Sequence, residues 1–211
     1  MTYFSRFVCA TSQQTASTVA LSNYYSSYHD TRLWNKTSIW EAARATSAAS
    51  SFFEPITIAG ETFIDGATGA NNPIQQLWTE AIRTWRDEGQ QGKWHLEDNI
   101  SCLISIGTGV PSLTPFGNDV KQIGKALLAI ALDTEDVAET FQQHHTDLYR
   151  MNHAFRFNVL RGLENIGLED YVKMDSIDTL TRKYNSMEDT RVKMEESSKR
   201  LKERFSMSQF H

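Results

Sequence analysis

Apolar and polar positions along the chain fall into a small number of clear patterns. Phe7-Val8-Cys9-Ala10 is a short apolar run bounded by polar residues, the signature of a buried strand. Residues 12–36 are rich in Ser, Thr, Asn and Tyr and predict loop with weak strand. Ser38 and Glu41 stand as Ser-x-x-Glu at a helix start, where each side chain can satisfy a free backbone N–H. Ala42, Ala43, Ala45, Ala48 and Ala49 follow, so this helix can lie very close to its neighbour. Phe52, Phe53 and Pro55 are expected to end it and anchor it. Ile56-Thr57-Ile58 and Thr62-Phe63-Ile64 flank Ala59-Gly60-Glu61, which predicts a β-hairpin with a short Gly-containing loop. Asp65-Gly66-Ala67 leaves the second strand. Asn72-Pro73 then opens another helix, with Asn as N-cap and Pro at the first helical position.

Beyond Pro73 the apolar residues Ile74, Leu77, Trp78, Ala81, Ile82 and Trp85 recur at spacings of three and four. This predicts a helix with one buried stripe, stopped by Gly89 and Gly92. Residues 100–106 read as an interior strand that ends at Gly107-Thr108-Gly109. A helix followed by a buried strand implies a crossover unit, hence an α/β fold with helices packed on a mainly parallel sheet. Residues 118–150 carry a helical pattern, and Phe155, Phe157 and Val159 alternate as a strand does. From Asp175 onward the pattern is helical with a break near Asn185. Lys199, Arg200, Lys202, Glu203 and Arg204 form a solvated helix face.

Composition narrows the function classes. With 211 residues, 40% hydrophobic and 22% charged, the chain can bury a core of its own. A net charge of -5 gives no nucleic-acid footprint. No apolar run approaches the ~20 residues of a membrane span, and residues 1–10 lack the apolar core of a signal peptide. The expected location is the cytoplasm, with contact to a membrane surface only as a transient association. Cys9 and Cys102 sit in apolar runs and are expected as free thiols rather than a disulfide. His144, His145 and His153 have no supporting metal motif, His95 follows Trp94 in a polar loop, and no P-loop or dinucleotide fingerprint occurs. Neither a metal nor a cofactor is expected.

Three blocks taken together carry a resemblance. The segment from Ala43 to Phe53 with Pro55, the segment Phe63 to Ala67, and Asn71 to Pro73 resemble the "ARATSAAP..F.P", "F.DGA" and "NNP" motifs of the patatin-like phospholipase family. The strand end at residues 105–109 extends the likeness to about Pro111, and "F.CAT" occurs within the family's domain as Phe7 to Thr11 does here. Ser50 departs from the pattern, which has proline there.

The resemblance implies a patatin-like acyl hydrolase fold in which a serine of a G-x-S-x-G turn attacks a lipid ester. In this Ser-Asp dyad, the aspartate of the Asp-Gly-Ala motif takes the serine proton with no histidine between them. Carried over by motif, that aspartate is Asp65, with Gly66 and Ala67 completing the motif. Gly66 is expected to let the backbone turn sharply. Phe52, Phe53, Phe63 and Ile64 are expected to give the carboxyl partly desolvated surroundings. No two glycines of the chain stand four apart, so no G-x-S-x-G nucleophile is present, and the glycine-rich oxyanion loop is missing too. Gly107-Thr108-Gly109 is no substitute, because Ser112 stands where its follow-on glycine would be. Residues 1–160 therefore read as the C-terminal part of a patatin-like domain, incomplete at the N-terminus, and 161–211 as a helical extension. The expected substrate is a phospholipid or lysophospholipid ester, and the chain alone is expected to be inactive and prone to aggregate at open sheet edges. The alternatives are a non-catalytic half-domain that binds lipid or a partner, and a truncated product of a longer gene. Oligomeric state stays open.

Overall fold

The computed structural model describes residues 5–50, 52–86, 94–109, 134–164, 166–167 and 170–207. The stop expected at Gly89 and Gly92, the segment from Pro111 through Ser112, and the helix expected over 118–133 lie outside the described residues. The chain divides into two compact units, residues 1–89 and 90–211.

The first unit is built on a four-stranded sheet of order β2-β1-β4-β3. Its strands are β1 (Phe7–Ser12), β2 (Thr18–Ser22), β3 (Ile56–Ile58) and β4 (Glu61–Asp65). All three pairings are antiparallel. Residues 13–17 are too short a link for a parallel crossover, so β2 folds straight back on β1. In the hairpin, Ala59 and Gly60 alone make the turn, with φ of 52° and 85°. Two left-handed residues in a row give the twist that matches strand twist. Glu61 consequently belongs to β4, opposite Ile58. Ala10, Leu21, Leu33, Ala45, Ile58 and Phe63 form the core on this sheet.

Helix α1 (Thr31–Lys36) falls in the stretch that reads as loop. Asp30 Oδ1 accepts from the N–H groups of Arg32 and Leu33 at 2.7 and 3.3 Å, a side-chain cap that starts the helix and turns Leu33 into the core. Helix α2 (Ile39–Thr46) starts at the expected box: Glu41 Oε2 accepts from Ser38 N–H at 2.9 Å and from Ser38 Oγ–H at 2.6 Å. It stops at Thr46, well short of Phe52. At its end Ser47 Oγ–H donates to the Ala43 carbonyl at 2.8 Å, and beyond it the carbonyl of Ala48 accepts from Asp65 N–H at 3.0 Å. Ala45 and Ala48 are wholly buried, as close packing requires, whereas Phe52 and Phe53 are exposed.

After the short helix α3 (Ala67–Ala70), α4 (Ile74–Trp85) starts one residue later than the expected cap implies: Pro73 takes the cap position, and Asn72 Oδ1 accepts from Ile74 N–H at 3.3 Å. The buried stripe of α4 is narrower than its periodicity suggests. Ile74, Trp78 and Ala81 are buried, Leu77 and Trp85 are exposed, and Glu80 is buried at 5% exposure.

The second unit holds β5 (Leu103–Ile106), the helical residues 134–144 (α5), α6 (Thr146–Arg150), β6 (Ala154–Phe157), α7 (Met174–Ser186) and α8 (Glu188–Met207). β5 pairs with β6 in parallel, Leu103 opposite Ala154 and Ile106 opposite Phe157. Helices with sheets, one of them parallel, make this an α/β structure. Among the described residues, parallel pairing is confined to β5–β6; in the four-stranded sheet two short hairpins, β1–β2 and β3–β4, meet through the antiparallel pair β1–β4, joined by the long connection of residues 23–55. At the strand ends, Glu135 accepts from Arg156 and Asn158, both at 2.8 Å, and Asn158 Oδ1 accepts from Gly109 N–H at 2.7 Å. The helical break expected near Asn185 falls at Met187.

Candidate active site

Asp65 is the last residue of β4 and lies opposite Ala10 of β1. Its N–H is held by Ala48 O, and its Oδ1 accepts from Ala67 N–H at 2.6 Å. The carboxylate is thereby folded over the start of α3. Its second oxygen has no hydrogen-bond partner among the described residues. One oxygen is fixed and the other is open, an arrangement able to receive a proton from a reacting group.

Gly66 does not serve as a sharp turn: its φ of −60° and ψ of −25° are ordinary right-handed values. Glycine is needed here for space. A Cβ would stand 2.1 Å from the carbonyl oxygen of Cys9 and 2.7 Å from its carbon. The same oxygen accepts from Thr46 Oγ1 at 2.6 Å. Cys9 of β1, Thr46 of α2 and Gly66 of the Asp-Gly-Ala turn thus meet at one carbonyl, which sets Asp65 against the central strand.

Of the apolar groups expected around Asp65, Phe63 is wholly buried and Ile64 half-buried, while Phe52 and Phe53 are exposed. The Arg44 guanidinium lies 5.3 Å from the Phe53 ring centre. Cys9 is a free thiol that burial, reinforced by the charge of Glu80, pushes up to about 11. It stays protonated and is no nucleophile.

Of the remaining sequence candidates, Ser105, His145 and His153 have structural partners. Ser105 Oγ accepts from Arg156 at 2.9 Å. His145 Nδ1 lies 3.3 Å from Glu97, and desolvation holds its imidazole below the ordinary range. His153 Nδ1 lies 3.0 Å from Ile100 O, and His95 is exposed. Among the described residues, no group of three or more His, Cys, Asp or Glu side chains is placed to hold a metal ion. Sequence reasoning passes over His29 and Glu80, whose side chains are 9% and 6% exposed and 2.7 Å apart. A lone His in a polar stretch and a Glu on an amphipathic helix give no local signal of such a contact.

The model of the family described as patatin-like phospholipase matches residues 4–78. Over these residues the chain is similar to that family. The match takes in β1, α2, the hairpin, Asp65 and the Asn-Asn-Pro start of α4. Among curated proteins, the chain is similar to phospholipase A I of Arabidopsis thaliana, 32% identical over 125 residues. That alignment covers 58% of this chain and 9% of the relative. The 85/88 kDa calcium-independent phospholipase A2 of Rattus norvegicus is 32% identical over 77 residues, 36% of this chain and 9% of the relative. The calcium-independent phospholipase A2-gamma of Rattus norvegicus is 27% identical over 162 residues, 74% of this chain and 19% of the relative. The patatin-like alignment thus spans a small part of each relative's length. No helix among the described residues is long and apolar enough to cross a membrane.

Proposed function

We propose that the chain supplies the aspartate of a patatin-like lipid acyl hydrolase site, acting on phospholipid or lysophospholipid esters. The observation that carries this reading is Asp65 at the end of β4, with one carboxylate oxygen held by Ala67 N–H and the other open. In the reaction, a serine of a G-x-S-x-G turn attacks the acyl carbon while Asp65 takes its proton, a step that contributes about 10²–10⁴-fold. That serine comes from a segment with a G-x-S-x-G turn, since no glycines here have the spacing. Residues 1–160 form the patatin-like part and 161–211 the helical extension, and the protein works in the cytoplasm in transient contact with lipid surfaces. The names of the relatives, all phospholipases, support a lipid ester as the substrate class.

The test joins the chain to a patatin-like segment bearing the glycine-rich loop and the G-x-S-x-G serine. Fatty acid release from lysophosphatidylcholine micelles is then compared with release by the 211-residue chain. Release only by the joined protein supports the reading; no release by either, with both folded, contradicts it.

A second reading, a lipid-binding half-domain without catalysis, rests on one observation. Ile39 and Trp40 at the start of α2 are 90% and 67% exposed, large apolar groups of the kind that enter an interface. Flotation of the chain with phosphatidylcholine vesicles, lost in Trp40→Ala, would favour it.

A further inference from the structure

Ser22, His29 and Glu80 form a hydrogen-bonded line on the wall of a cavity of about 390 Å³ in the first unit. Ser22 ends β2, His29 precedes the Asp30 cap of α1, and Glu80 lies within α4. Ser22 Oγ is 3.1 Å from His29 Nδ1, and His29 Nε2 is 2.7 Å from Glu80 Oε2. The same Glu80 oxygen accepts from Tyr24 O–H at 2.7 Å, and the other faces Arg83 at 3.3 Å. Burial, and then the bond to Glu80, push the Tyr24 phenol far above its ordinary range, so Tyr24 remains a donor. A carboxylate can only accept, so the contact is made by Nε2–H. In the neutral form of the ring, Nδ1 then holds the lone pair that faces Ser22. The Ser22 proton has two acceptors in reach, Nδ1 and the carbonyl of Tyr24 at 2.7 Å.

We propose that Ser22, His29 and Glu80 act as nucleophile, general base and orienting carboxylate in the hydrolysis of small carboxylic esters. This is a second site that does not depend on Asp65. A hydroxyl within reach of a base, and that base oriented by a third group, is the arrangement that activates a serine. Ser22 Oγ bonds to the ester carbonyl carbon as its proton moves to His29 Nδ1. The bond from that carbon to the leaving oxygen then breaks, and the departing alcohol takes the proton from Nδ1. Water attacks the acyl-serine by the same route, giving the free acid and restoring the Ser22 hydroxyl. The buried Glu80 carboxylate offsets the imidazolium charge that forms between these steps.

Strand register supplies a donor for the oxyanion. Asn23 N–H bonds to Arg6 O, and Ser22 stands opposite Phe7. Alternate residues of an antiparallel strand turn their N–H groups to opposite sides. The Ser22 N–H therefore faces away from β1, and β2 is the edge of its sheet. An N–H on the nucleophile itself is well placed to meet a developing oxyanion. Val19, Leu21 and Leu33 line the cavity and suit a short acyl group.

The test treats the purified 211-residue chain with an ethyl fluorophosphonate probe and with p-nitrophenyl acetate. Peptide mass mapping should place the phosphonyl group on Ser22. Ser22→Ala should abolish labelling, and His29→Gln should slow ester turnover by about 10²–10⁴-fold. Glu80→Gln should move the acidic limb of the pH–rate profile to lower pH, because the imidazolium loses its counter-charge. Tyr28, Asp30, Glu61 and Arg83 are the other titratable or charged groups lining this cavity, and Tyr24 and Cys9 face Glu80 from beside it. A folded wild-type chain that carries no label on Ser22, or ester turnover equal in Ser22→Ala, would overturn the proposal. The mapped position of the label in the wild-type chain decides even where His29→Gln or Glu80→Gln unfolds.

Discussion

The α-carbon of Gly66 sits against the carbonyl oxygen of Cys9, so close that a Cβ would stand 2.1 Å from it. That oxygen is backbone, is already bonded by Thr46, and cannot swing away as the end of a side chain would. Gly66→Ala must therefore push β1 from the turn that carries Asp65. The expected cost is about 3 kcal/mol or more, at the upper end of overpacking effects. Urea unfolding measures it; a midpoint equal to wild type would show that the contact is looser than described.

Ala59 turns the hairpin at φ of 52°, a left-handed conformation that disfavours a Cβ. Asn tolerates that region and precedes Gly in the preferred two-residue turn. Ala59→Asn should stabilise the chain by roughly 1 kcal/mol, read as a raised thermal midpoint. A lowered midpoint would mean that the turn is not held in this geometry.

The Glu41 carboxyl is held below its ordinary range by the Ser38 side chain first and by the Ser38 backbone N–H second. A carboxyl lowered by folding stabilises the protein above its unfolded value and loses that contribution as pH falls through the folded value. Wild type should therefore melt above Glu41→Gln at pH 7, and the gap should close as pH drops below about 4. A gap that widens in acid would contradict the box at the start of α2.

What was legible in the sequence was local. The strand at Phe7, the hairpin, the box at Ser38 and the start of α4 each write their geometry within a few residues, although the hairpin turn has two residues rather than three and α4 starts at Ile74, with Pro73 rather than Asn72 in the cap position. Helix α1 was not legible, because its cap is an Asp within a polar run and Leu33 is its sole buried anchor. The early end of α2 was hidden for another reason: the alanines that follow it are held by the next hairpin, where Asp65 N–H bonds to Ala48 O.

Pairing direction in the four-stranded sheet depends on which strands meet, which periodicity does not record. The need for glycine at position 66 was legible, but its cause was not. The sequence suggests backbone freedom, whereas the structure shows a contact with a strand far earlier in the chain. Glu80 shows the same limit. Its partners Tyr24 and His29 precede it by 56 and 51 residues, and on the helix alone it reads as a solvent-facing acid.

The most direct measurement of the central claim uses a protein that joins a G-x-S-x-G segment to this chain, and compares the acylation rate of its serine in the wild-type and Asp65→Asn forms. Asp65→Asn keeps the size of the side chain and its acceptor for Ala67 N–H, and it replaces the open carboxylate oxygen that we propose takes the proton. The account predicts that the rate of fluorophosphonate labelling of that serine falls by about 10²–10⁴-fold, with the thermal midpoint unchanged. Labelling at the wild-type rate in the folded Asp65→Asn protein would contradict it.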